Sequence, residues 1–217
     1  MFTQTTELPQ RLDYWLDDQA ITSNPLEASD EVVLVTIDEL SLNRLGRWPW
    51  PRNLHAELIA KLNEAGAKTI VFDILFAEPS PDDQQLAEQM RSHGNVILPV
   101  YLSPPTSQYL LSEQLPVGVL ASAAAGLGHA HVELDSDGVA RGLYLFNGLG
   151  NQLWPSLALA ASGVGPQNPE TEDTPSYVNI RDQYRAVPLT GGAGSLQSYS
   201  FSPVLTKPAA PQPFRGT

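Results

Sequence analysis

The chain has 217 residues, with 24 Asp+Glu against 12 Lys+Arg, a formal net charge of −12, and no cysteine. That charge argues against a nucleic-acid backbone or an anionic lipid as the main partner, because both need a basic face. The absent thiols exclude disulfides, thiolate zinc sites and a Cys nucleophile, and a chain this long buries about 70% of its unfolded surface without such staples.

Leu8, Leu12, Trp15 and Leu16 fall at helical spacing, which predicts an amphipathic helix over Thr5 to Asp18. Asn24 to Asp30 reads as a turn-rich linker. Val32 to Ile37 is a continuous apolar and β-branched run, the pattern of a strand buried on both faces. Asp38 to Pro51 reads as a polar, Trp/Pro-rich connection. A helix is expected over Asn53 to Ala65, with Asn53 as N-cap, Gly66 as C′ and Leu54, Leu58, Ile59 and Leu62 as its apolar stripe. Thr69 to Phe76 reads as a second buried strand, so the three elements make a parallel βαβ unit.

The pattern then repeats. Ser80 to Asp83 supplies an N-cap, a first-turn Pro and two acids, Leu86, Ala87 and Met90 face the core, and Gly94 ends the helix. Asn95 to Leu102 is a third strand, placed at an edge or bent because Pro99 has no N–H to donate. Val117 to Ala125 reads as a helix. His129 to Leu134 and Val139 to Phe146 alternate about Asp135 to Gly138 and read as a hairpin. Pro155 to Ser162 reads as a short buried helix and Gly163 to Ser176 as a loop. Short strands are expected near Tyr177 to Ile180, Ala186 to Leu189 and Ser198 to Phe201. The fold class is therefore α/β: an N-terminal parallel βαβαβ core with helices on its faces, followed by antiparallel strands and a hairpin. Residues 1–30 form a lead-in, 31–205 the main domain and 206–217 a Pro-rich tail.

Neither Val32 to Ile37 nor Val96 to Leu102, the longest apolar runs, approaches the ~18 residues of a membrane-spanning helix. Met1 to Gln19 has neither the basic nor the apolar region of a secretion signal. The acidic lead-in and the Pro-rich Lys207 to Thr217 read as the two ends of an excised fragment.

Several side chains are candidates for chemistry. Asp38 ends the first strand and Asp73 lies within the second, and ligands of open α/β sheets bind beyond the carboxyl ends of strands. The pair reads either as a metal or acid–base site or as loop-shaping acceptors of backbone and Arg donors. The alternative functions are a periplasmic hydrolase using Asp38 and Asp73, or a ligand-free dimerisation domain. An aspartyl phosphatase would place a second Asp at position 40, where this chain has Leu40. The segment Trp48-Pro49-Trp50-Pro51-Arg52 offers two indoles and a guanidinium before a helix N-terminus. It reads as a ligand pocket, or as a plug over the sheet end with Arg52 tying down Asp38 or Asp73.

His129, His131 and Glu133 alternate and would share a strand face, open to metal or to water. Asp135 to Arg141 looks calcium-like until the twelfth loop position, which is Phe146 instead of a closing Glu; a tight turn is the reading. No hydrolase elbow, P-loop lysine, His-Glu-x-x-His or Gly-x-Gly-x-x-Gly occurs, which lowers the expectation of an enzyme. No cofactor is expected.

Ile37-Asp38 with Ser41, then Gly46 to Arg52, then Phe72 to Phe76 with Glu78-Pro79, closely resemble the type-two CHASE domain. A second block, from Gly126 to Leu145 with Leu153 to Ala160, is similar to the family's Gly-His, Asp-Gly-x-x-Arg and Pro-Ser-Leu-Ala pattern. The likeness runs from about Leu12 to Leu205. It implies an extracytoplasmic sensory domain at the periplasmic face of an inner membrane, with membrane helices in the parent and a cytoplasmic cyclase or kinase as output. It implies ligand-binding candidates at Asp38, Ser41, Trp48, Trp50, Arg52, His55, Asp73 and Glu78, and a structural motif at Asp137, Gly138 and Arg141. The implied partners are a small-molecule or protein stimulus and, in the assembly of such receptors, a second copy of the chain. Family members usually continue past an Arg-Gly-Lys into a Val-Leu-Val-Gly strand, whereas here Arg215-Gly216 meets Thr217. That implies an empty or differently filled strand position beside the N-terminal βαβ units.

Overall fold

The computed structural model describes residues 29–103, 112–168, 178–186 and 196–206. The expected helix over 5–18, the tail over 207–217 and most of the strand expected at 186–189 lie outside them.

The chain enters as β1 (Val33–Thr36), turns through α1 (Glu39–Leu45) and runs back as α2 (Arg52–Glu64). β2 (Ile70–Val71), α3 (Asp83–His93) and β3 (Val96–Ser103) follow. Then come β4 (Ser112–Gln114), α4 (Gly118–Ala121) and β5 (Gly126–His129). The last third holds β6 (Gly142–Leu149), β7 (Gln152–Pro155), α5 (Leu157–Ala161), β8 (Asn179–Ala186), β9 (Gln197–Ser200) and α6 (Phe201–Thr206).

The class is mixed α/β, as the alternating apolar runs required, with parallel sheets early and antiparallel strands late. β3 is the hub: it pairs in parallel with β2 and β5 and, at its far end, antiparallel with β4. Its Val96 and Leu98 enter the main core, and its Ile97 is buried too. The main core is filled by Phe76, Phe201, Ile59, Leu86 and Met90, all buried. The apolar stripes of α2 and α3 supply much of it, and burying each such side chain contributes about 1.5–3 kcal/mol. α3 ends where Gly94 takes φ +82 and its N–H bonds the Met90 carbonyl, a left-handed turn that costs glycine nothing.

Several elements differ from expectation. β1 is not buried on both faces: Val32 is 48% and Leu34 44% exposed. Among the described residues its one strand partner is β9, in parallel, and it makes no ladder with β2. The first βαβ unit therefore has no direct pairing between its strands. Position 39–45, read as connection, is helical because Asp38 caps it, accepting from the Ser41 N–H at 2.9 Å. α2 begins without a side-chain cap: Pro51 takes the position expected for Asn53. β2 is two residues long, so Asp73 lies beyond it.

Pro99 sits inside the hub strand, not at an edge. Ile70 and Phe72 donate to the carbonyls of Asn95 and Ile97, so odd-numbered residues of β3 face β2. β2 has ended by Pro99, and no ladder bond is forfeited there.

The hairpin expected about Asp135 to Gly138 is also displaced. β5 ends at His129 and joins the parallel sheet, and Glu133 reaches Gly142 by one isolated bridge. The hairpin in this region is β6–β7, turned by Gly150-Asn151 with Gly150 at φ +60. β8 closes that sheet as one continuous strand on the other side of β6. Beside the turn, a Cβ on Gly148 would lie inside the Gln152 carbonyl oxygen. Gly148→Ala must spread the β6–β7 pair and is expected to cost about 3 kcal/mol, the upper range for overpacking. A urea midpoint equal to wild type would show that the hairpin relaxes freely.

Candidate functional site

At the carboxyl ends of β1 and β9 the chain ties itself together. Ser200 donates its hydroxyl to Asp38 Oδ1 at 2.7 Å, and Ser41 Oγ lies 2.8 Å from Ser200 Oγ. Ser41 Oγ accepts the Ser202 N–H at 3.0 Å. Bonds from the Ser200 hydroxyl and the Ser41 N–H hold the Asp38 carboxyl below its ordinary range. Asp38 is thus a charged knot joining β1, α1, β9 and α6.

The loop from Gly46 to Arg52 folds over the next layer. Its Trp48–Pro49 peptide is cis. Trp50 is buried and donates its indole N–H to the Gly46 carbonyl at 2.8 Å. Its ring packs on Phe201 and against the edge of Trp48, which stays 41% exposed. Arg52 reaches neither Asp38 nor Asp73. Its Nε contacts Asp83 Oδ1 at 3.3 Å, Nη2 donates to the Glu78 carbonyl, and the guanidinium lies 4.4 Å from the Phe76 ring centroid. Asp83 is buried and also accepts the Ser80 N–H at 2.7 Å, so this pair locks the start of α2 to the start of α3.

One turn along α2, His55 is fully buried. Trp48, Phe72, Phe76 and Phe201 surround its ring edge to face. Neither ring nitrogen has a partner among the described residues. Burial, helped by the Arg52 charge, pushes this imidazole down to about 4. Asp73 is exposed and accepts from the Tyr101 hydroxyl at 2.9 Å. Burial and that carboxylate raise the Tyr101 phenol to about 12. Glu78 is exposed.

His129, His131 and Glu133 do not share a strand face, because the strand stops at the first of them. His129 is buried, whereas His131 lies 3.1 Å from Glu133, which also holds Arg181 at 2.8 Å. Among the described residues no three His, Cys, Asp or Glu converge as metal ligands. Asp135 to Gly138 forms a tight turn, closed by the Gly138 N–H on the Asp135 carbonyl. Asp135 and Asp137 grip the buried Arg141 at 2.8 Å each.

The eight ligand candidates therefore split. Asp38, Ser41, Trp50, Arg52 and His55 are consumed in holding the layers together. Trp48, Asp73 and Glu78 remain at the surface. Sequence reasoning missed Ser200, Ser202 and Tyr101, whose polar partners lie far away in the chain and leave no local spacing to read. A cleft of about 920 Å³ lies between β1 and β2, with Leu58, Leu62 and Phe201 in its lining. Asp73 is the one ligand candidate among its lining residues.

The CHASE2 domain family matches residues 1–217, the whole chain. No curated protein and no solved structure matches it.

Proposed function

Because the chain belongs to the CHASE2 domain family, extracytoplasmic sensory domains found with cyclases and kinases, we propose that it senses a stimulus at the periplasmic face of an inner membrane. Membrane helices in the parent protein carry the signal to a cytoplasmic nucleotide cyclase, diguanylate cyclase, histidine kinase or Ser/Thr kinase. The family match over the full length carries this reading. The domain itself is a sensory module, not a catalyst. Among the described residues no helix is long and apolar enough to cross a membrane.

A stimulus drives such a receptor only through unequal affinity for two states. The architecture offers a boundary where two states can differ. Among the described residues the β1–β9 pair and the β2–β3–β5 sheet share no ladder; α2, α6 and the core between them provide the connection. The candidates Trp48, Asp73 and Glu78 are exposed to solvent, and Asp73 lines the cleft at that boundary. A hydrolytic reading gains nothing from the geometry, since Asp38 and Asp73 serve different partners.

In the full receptor, coupled to a cellular reporter of its output, Trp48→Ala and Glu78→Gln are expected to shift the response while leaving the isolated domain folded. Output identical to wild type for both variants would place the stimulus elsewhere.

A further inference from the structure

A polar ring lies unbonded among the aromatic side chains of the main core. His55 is fully buried, and neither of its nitrogens finds a partner among the described residues. Leaving such a group unpaired costs about 1–3 kcal/mol, a cost that leucine in the same cage would avoid. Trp48, Phe72, Phe76 and Phe201 make the cage, with ring centroids 5.3 to 6.1 Å from that of His55. Three of these rings are buried, and Trp48 alone reaches solvent. Phe201 opens α6, whereas Phe72 and Phe76 follow β2, so the imidazole sits in the joint between α6 and the sheet.

No carboxylate is placed to accept a proton's charge there. Among the described residues Arg52, one turn earlier on α2, is the charged group that acts on the ring, and it opposes protonation. The acids of the neighbouring elements are turned to other partners. Asp83 of α3 holds Arg52, Asp38 before α1 holds Ser200 and the Ser41 N–H, and Asp73 after β2 holds Tyr101. α6 carries no charged residue, and Arg47, Glu57 and Glu78 are exposed. A charged imidazole therefore gains only by reaching water, and the way past the cage is through Trp48. We propose that His55 is an acid latch: the free electron pair of its ring takes a proton from solvent, the imidazolium turns toward water, Trp48 moves outward, and the joint between α6 and the sheet loosens. The proposal rests on the sensory reading and names acid as a stimulus of the receptor. Burial, helped by Arg52, lowers the shut imidazole from 6.5 to about 4, whereas contact with water restores it toward the ordinary value. The open state thus binds the proton more tightly, so the latch stays shut above about pH 6.5 and opens as pH falls.

The test titrates the 217-residue chain, labelled with 5-fluorotryptophan, from about pH 7.5 toward about 4.5, with sucrose added to strengthen the fold. The Trp48 fluorine signal, assigned with Trp48→Phe, should move reversibly toward the position of a solvated indole. Over the same range the Leu98 and Val100 amides of β3 should stay protected from hydrogen exchange. His55→Leu should hold the Trp48 signal at its neutral-pH position throughout. Trp48→Ala admits water to the ring and should raise the pH at which the His55 proton resonance titrates, with about a tenfold gain in proton affinity. A Trp48 signal that changes only when the β3 amides lose protection overturns the proposal, because acid would then act by unfolding alone. A His55 titration that Trp48→Ala leaves in place overturns it as well, since Trp48 would then not be the gate. In the full receptor, output should change with external pH, and His55→Leu should abolish that change. Reporter output indifferent to pH overturns acid as the stimulus and leaves the sensory reading to be judged by the Trp48 and Glu78 variants.

Discussion

At pH 4.5 the domain is expected to be about 5 kcal/mol less stable than at pH 7.5, enough to consume much of an ordinary folding free energy. The cause is two imidazoles that folding keeps neutral. His55 and His129 are 0% and 2% exposed, and burial lowers each from 6.5 to about 4. Between those values the unfolded chain binds protons that the folded chain refuses. The stability is therefore complete above about pH 6.5 and is lost as pH falls toward 4. Over pH 7.5 to 4.5 this amounts to about 2.5 kcal/mol per histidine. Urea midpoints at the two pH values measure it. His55→Leu should remove about half of the loss, at little cost at neutral pH, because neither ring nitrogen has a partner to forfeit among the described residues. A midpoint that does not move with pH, or a His55→Leu variant with the wild-type slope, would sink the argument.

Arg52→Ala is expected to destabilise the domain by about 3 kcal/mol, the lower range for removing one partner of a buried ion pair. The Arg52 and Asp83 side chains are only 12% and 9% exposed, so the carboxylate left behind keeps its burial and loses its cation. The guanidinium also covers Phe76 and donates to the Glu78 carbonyl. Lysine supplies the charge without the fork, so Arg52→Lys should recover only part of the loss. Asp83→Asn in the Arg52→Ala background should recover part as well, because the stranded charge is gone. Equal losses for Arg52→Ala alone and for the double variant would show that packing on Phe76, not the ion pair, sets the effect. The same locked geometry explains why Trp48 and Glu78 are better probes of sensing than Arg52. A receptor silenced by Arg52→Ala would report an unfastened α2–α3 junction as readily as a lost contact with the stimulus.

The parts of the fold that were legible share one property: their signal is local. Leu54, Leu58, Ile59 and Leu62 recur at helical spacing, so α2 could be found wherever it packs. Gly94 and the first-turn acid Asp83 bracket α3 in the same way. Strand burial was legible only where pairing supplied it. Val32 to Thr36 and Val96 to Val100 are equally apolar, yet the first half-faces solvent and the second is buried throughout. The difference is the number of neighbours among the described residues, one for β1 and three for β3. The misplaced hairpin has a similar origin. Asp135 to Gly138 carries strong turn chemistry and does turn, but its flanks go to different sheets. Gly150-Asn151, a two-residue hairpin signal between alternating runs, was legible and was overlooked.

The candidate site divides along the same line. The sequence by itself determined the family, through contiguous strings such as Gly46 to Arg52 and Phe72 to Phe76, and with it the sensory role. It also determined the α/β alternation, because periodicity and capping act within a few residues. Only the tertiary structure decided which of those residues are free. Ser200 reaches back 162 positions to Asp38, Arg52 bypasses both predicted carboxylates for Asp83, and Tyr101 takes Asp73. These partners meet only when distant segments fold together, and no segment of chain encodes such a meeting alone.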